Sequence, residues 1–131
     1  MKTVFQPLFV AALIAAVVNQ ILYFVATGLL GQEFMLAQGE PMAIPVIAPA
    51  MFSIFQGLVG GLAVAWIALR TKSPQKVWTV ISVIALVLSF VMPFGGIVGL
   101  GAALWLNLMH VVAGVFIIPA VRKALPATKA S

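Results

Sequence analysis

Four long apolar runs, separated by short charged or turn-rich segments, constrain this chain more than anything else in its sequence. A bilayer core of about 30 Å needs about 20 apolar residues in a helix rising 1.5 Å per residue. The first run, LFVAALIAAVVNQILYFVATGLL, occupies 8–30 between Pro7, harmless at a helix start, and Gly31, which reads as a stop. The second occupies about 47–69, with Pro49 in its first turn. The third occupies 74–93, with Ser73 as N-cap and Pro74 as the first helical residue. The fourth occupies 101–121, its end marked by Pro119, Arg122 and Lys123. Pro93 is expected to kink or end the third helix, and the Gly-rich FGGIVGLG after it to form a tight hairpin.

Composition makes lipid the natural solvent. Of 131 residues, 64% are hydrophobic and 7% charged, against about a quarter charged in soluble domains. The length suits one membrane unit over 1–131, with a short basic tail at 122–131. Cysteine is absent, which removes disulfides, thiolate catalysis, iron–sulfur clusters and thiol lipidation. The first run extends well beyond the 7–15 apolar residues of a signal peptide and no convincing small-x-small cleavage site ends it, so it reads as a span.

A net charge of +5 suggests nucleic acid until the basic residues are located. Lys2 precedes the first run, Arg70, Lys72 and Lys76 lie between the second and third, and Arg122, Lys123 and Lys129 follow the fourth. Both acids, Glu33 and Glu40, lie between the first and second. All seven cations share one side if the termini and middle loop are cytoplasmic, a complete positive-inside asymmetry. Trp66 and Trp78 then fall near the inner ends of their helices and Trp105 near an outer end, as an interfacial belt requires. The expected architecture is an all-α integral membrane protein of the cell (inner) membrane: an antiparallel up-down bundle of four transmembrane helices, N and C termini cytoplasmic. The acidic linker GQEFMLAQGEPMAIP reads as an irregular outer loop resting on the membrane surface. Nucleic acid is not expected as a partner.

At about 100° per residue, polar and small residues collect on one face of each helix. The first aligns Ala12, Ala16, Asn19, Gln20, Tyr23 and Thr27; the second Pro49, Ser53, Gln56, Gly57 and Gly60; the third Thr79, Ser82 and Ser89; the fourth Ala103, Asn107, His110 and Gly114. Gly57 and Gly61 make a small-xxx-small pair for close helix approach, and Gly60 and Gly114 are expected to pack likewise. Asn19, Gln20, Gln56 and His110 fall near the midpoints of their runs, so with Asn107 they define a candidate midplane polar cluster. Unpaired polar groups in hydrocarbon cost several kcal/mol, so these should bond one another or bound water. Packing glue is the plain reading of the cluster, and a small-molecule site around His110 the functional one.

Catalytic and metal constellations are missing. A serine nucleophile meeting His110 would lack an acid to orient the base, and one imidazole without buried carboxylates makes no metal site. Small multidrug-resistance exporters share the size and helix number but carry a glutamate inside helix one, where this chain has Asn19 and Gln20. LNLMHVVAGVFIIPA, from Leu106 to Ala120, resembles the last helix of small four-helix prokaryotic membrane proteins of unknown function, in which L-x-L-M-H is followed after seven residues by I-P. That resemblance implies the same fold and suggests Asn19 and His110 as family features; it brings no activity or cofactor. The leading expectation is a non-enzymatic accessory subunit that self-associates or joins a larger membrane complex. The alternative is a binding or transport module for a small, largely apolar molecule around His110, contacted also by Asn19, Gln56 and Asn107. No cofactor is expected, haem or a pigment on His110 being the minor exception.

Overall fold

The computed structural model describes residues 1–128, so Lys129 lies outside the described residues. Among the described residues four helices are long and apolar enough to cross a membrane, Lys2–Leu29, Ala48–Ala68, Pro74–Gly96 and Leu100–Ala124, which is compatible with a multi-pass membrane protein.

Helix α1 (Lys2–Phe24) runs on through a π-helical turn, Val25–Leu29, to Gly31 at φ 62°, where the left-handed backbone ends it. It starts six residues earlier than the apolar run suggests, with Pro7 inside it. Pro7 deprives only the Thr3 carbonyl of a helical donor, in the first turn, while the Met1 carbonyl accepts from the Val4 and Phe5 amides at 3.1 Å. Val4, Leu8, Ala12, Ala16, Asn19 and Tyr23 form its buried seam at three- and four-residue spacing.

That seam packs against α2 (Ala48–Ala68) and against α5 (Leu100–Ala124). Glycine permits the approach where helices meet most closely. A Cβ at Gly57 would lie 3.0 Å from Ile117 and 3.3 Å from Ala12, one at Gly61 2.7 Å from Leu8, and one at Gly114 2.7 Å from Leu86. Gly60 departs from its expected packing role, for nothing lies within 4 Å of its Cβ direction. Helix α3 (Pro74–Ser89) packs on α5 and, less extensively, on α2. One core cluster joins Val4, Leu8, Ala65, Ala68, Trp78, Val121 and Leu125. A second joins Tyr23, Ala26, Phe34, Ala102 and Met109.

Several local expectations are corrected. Trp78 is 1% exposed, not part of an interfacial belt, and its indole N–H donates to the Ile118 carbonyl at 2.9 Å. Trp66 does remain exposed, with the Arg70 guanidinium 3.3 Å above its ring. Ser73 occupies the N-cap of α3 but makes no side-chain cap bond. The third span breaks at Phe90, before Pro93, and resumes as α4 (Val91–Gly96). Pro93 cannot donate to the Ser89 carbonyl four residues back, which places the interruption one turn upstream of the ring. Pro119 does not end α5, which continues to Ala124.

The linker after α1 is ordered. Strands β1 (Met35–Leu36) and β2 (Met42–Ala43) form an antiparallel hairpin with Met35 opposite Ala43 and Leu36 opposite Met42. The free edge of β1 pairs with the α4–α5 junction: Ala37 N–H donates to Gly96 and Val98 N–H to Met35, both at 2.9 Å. Phe34 beneath it is buried and stacks on Tyr23, ring centres 5.1 Å apart. The hairpin thus closes one end of the bundle.

The two neighbouring glycines of α2 provide a check. Leu8, which the methyl of Gly61→Ala meets, is fully buried and has little room to yield. Gly61→Ala should therefore be about 1–3 kcal/mol less stable than Gly60→Ala, which gains the same helix propensity without the clash. Thermal unfolding in detergent measures the difference, and equal midpoints would contradict this packing.

Candidate functional site

Helices α2 and α3 meet weakly, and between them and α5 lies a groove of about 470 Å³. Its lining on α2 extends from Ala48 to Val64, about 24 Å of helix at 1.5 Å per residue. Trp78 and Ile118 line one end; Leu36 and Gln38 of the hairpin line the other. No lining residue is charged, and most of the wall is aliphatic, aromatic or glycine.

Asn19 is the polar group most deeply set in this wall, at 3% exposure. Its Nδ2 donates to Ser53 Oγ at 2.9 Å and to the Met109 carbonyl at 3.1 Å, joining α1 to α2 and α5. Ser53 passes its own proton to the Pro49 carbonyl at 2.7 Å. Both amide protons are therefore engaged, while Asn19 Oδ1 is buried without a partner among the described residues. Such an orphan acceptor costs about 1–3 kcal/mol.

His110 also lines the groove, one residue beyond the carbonyl that Asn19 bonds. Its Nδ1 lies 2.8 Å from the Leu106 carbonyl, which can only accept, so Nδ1 carries the proton. In the neutral ring Nε2 is then an acceptor. Gln56 lines the groove with its amide free of protein partners among the described residues. Ser82 and Ser89 reach it from α3, Ser89 donating to the Leu86 carbonyl at 2.6 Å.

Asn19, Gln56 and His110 thus share one groove; Gln20 and Asn107 do not line it. Gln20 Nε2 donates to the Val46 carbonyl, at 2.9 Å, in the segment before α2. Asn107 Nδ2 makes a long bond of 3.4 Å to the Phe90 carbonyl at the break between α3 and α4. The early start of α1 moves the helix midpoint several residues before Asn19, so Asn19 and Gln20 sit toward the hairpin end. The step of about 100° between them turns Gln20 to Val46 instead of into the groove. Of the glycines read as packing positions, Gly57, Gly61 and Gly114 meet neighbouring helices, and all four line the groove. Sequence reasoning did not foresee Gln38, Leu36 or Ile44 as lining residues, because a loop has no periodicity to aim its side chains. Ser53 as the partner of Asn19 was foreshadowed only by its place on the polar face of helix two.

His110 is the one imidazole, and among the described residues no three His, Cys, Asp or Glu side chains gather as a metal-binding group. The arrangement offers hydrogen bonding in an apolar slot. Residues 1–127 match a family of unknown function, DUF6069, and the chain belongs to it. No curated protein and no solved structure matches the chain.

The Asn19 junction generates a prediction. Asn19→Leu fills similar volume and removes the orphan oxygen along with two bonds, so its cost should not exceed about 1.7 kcal/mol. Asn19→Asp keeps the shape but sets an oxygen against the Met109 carbonyl, and should unfold at a lower temperature than Asn19→Leu at neutral pH. The opposite order in detergent melting curves would mean that Asn19 is not the donor at this junction.

Proposed function

We propose that this member of a family of unknown function is a multi-pass protein of the cell membrane that holds a small, elongated, largely apolar molecule in the groove between α2, α3 and α5. The observation carrying this reading is the groove itself. Its volume lies within the range of about 300–1,000 Å³ usual for small-molecule sites, and its wall combines apolar surface with a few convergent polar groups. At about 24 Å it is longer than the 15 Å or so of one leaflet's hydrocarbon, so it suits a chain-like molecule lying along the helices. Weak contact between α2 and α3 leaves a lateral route from the lipid.

Orientation belongs to the same proposal. The helices alternate in direction, with both termini and the α2–α3 turn in the cytoplasm and the hairpin outside. Supporting this are the basic residues at 70, 72, 76, 122 and 123, and a core cluster that brings Val4 and Leu125 together with Ala68 and Trp78. The cysteine-free chain makes the test direct. Glu40→Cys should react with an impermeant maleimide in intact cells and Lys72→Cys only after lysis; the reverse pattern would invert the assignment.

Gly60 supplies the test of the groove, because a side chain there enters it without meeting a helix. Native mass spectrometry of protein gently extracted from its own membrane should find a small molecule bound to the wild type and lost from Gly60→Leu, with unfolding temperature preserved. A bare wild type, or an adduct kept in full by Gly60→Leu, would refute the reading. A foreign subunit in the recovered mass, with no small molecule, would point instead to the accessory role.

A further inference from the structure

We propose that the molecule in the groove is a neutral lipid-like compound with a hydroxyl group that donates to His110 Nε2; this rests on the groove being a small-molecule site. The proton of His110 Nδ1 goes to Leu106, that of Ser53 to Pro49, that of Ser89 to Leu86, and both amide protons of Asn19 go to Ser53 and Met109. What His110, Ser53 and Ser89 present toward a ligand is therefore lone pairs, the imidazole Nε2 and two hydroxyl oxygens, while the partnerless Oδ1 of Asn19 is itself buried.

The free acceptor at His110 Nε2 selects a donor. A ketone, ester or ether oxygen set against Nε2 would place two lone pairs together in an apolar slot, whereas an O–H supplies the missing proton. Charge narrows the class further. With no Lys or Arg in the lining there is nothing to hold an anion, and with no Asp or Glu nothing to hold a cation. A hydroxyl suits the site better than an amide N–H because its oxygen also accepts. Gln56 and Ser82, whose donors have no protein acceptor among the described residues, line the same groove to serve that oxygen. The aliphatic remainder lies along Gly60, Gly61 and Val64.

The matched probes are cetyl alcohol and its methyl ether, equal in chain and differing in the one proton. Binding is measured by titration of the purified full-length protein in nanodiscs, for wild type, His110→Leu and Gly60→Leu. Wild type should prefer the alcohol by about tenfold, the equivalent of about 1.4 kcal/mol for one net hydrogen bond. His110→Leu should lose that preference by weakening the alcohol alone; the ring bonds only its own helix, so the fold is not at stake. Gly60→Leu should weaken both probes. Equal binding of alcohol and ether by wild type, with both weakened in Gly60→Leu, would overturn the hydroxyl assignment and leave the groove as the site. A preference that survives His110→Leu would overturn the role of Nε2. Binding of neither probe, or binding indifferent to Gly60→Leu, would remove the groove reading itself.

Discussion

One amide group ties three helices of this bundle together. Asn19 donates from α1 to a hydroxyl on α2 and a carbonyl on α5, within a seam otherwise made of alanine, leucine, valine and tyrosine. Apolar packing alone leaves helices free to slide and rotate, because one aliphatic contact replaces another at little cost. A pair of hydrogen bonds that must be made, in a place where water is scarce, fixes the register instead. With α1 held between α2 and α5, α3 meets α5 through contacts that include Leu86 with Gly114 and Trp78 with Ile118, and the space left between α2 and α3 becomes the groove.

The hairpin and the proline breaks complete that arrangement. Pairing of β1 with the Ile97 segment satisfies backbone groups that a Gly-rich connection would leave open, and it closes the groove at one end. At the other end Trp78 both fills the core and donates to the Ile118 carbonyl, beside Pro119. Between these closures the donors of Trp78, Ser53, Ser89 and His110 are spent on protein carbonyls, while those of Gln56 and Ser82 have no protein acceptor among the described residues. On the proposed reading, the free acceptor of His110 and the free donors of Gln56 and Ser82 together set the selectivity of the site.

Much of this was legible in the sequence, for identifiable reasons. Helix number follows from run length against bilayer thickness, and the polar faces follow from the 3.6-residue period, which brought Asn19, Ser53, Gln56 and His110 into view. Helix ends were less legible: hydropathy does not show that α1 reaches back over Pro7, and that extension moved Asn19 and Gln20 from the expected midpoint toward the hairpin. Trp78 looked interfacial because type and position in the run agree with a belt, whereas its burial depends on which way α3 faces α5. The groove itself was not legible, since it arises from how far apart two helices stand. Gly60 and Gly61 are neighbours of one residue type, and only their rotation about α2 makes one a lining position and the other a contact.

The central claim is that a small molecule, and neither bulk lipid nor a protein helix, occupies the space beside Gly60. A photoreactive amino acid placed at position 60 and irradiated in the native membrane tests this most directly, with Phe55, exposed and outside the groove lining, as the control position. The account predicts one dominant adduct of small-molecule mass at position 60 that is absent at position 55. The same mixture of membrane phospholipids at both positions, or a crosslinked protein at position 60, would contradict it.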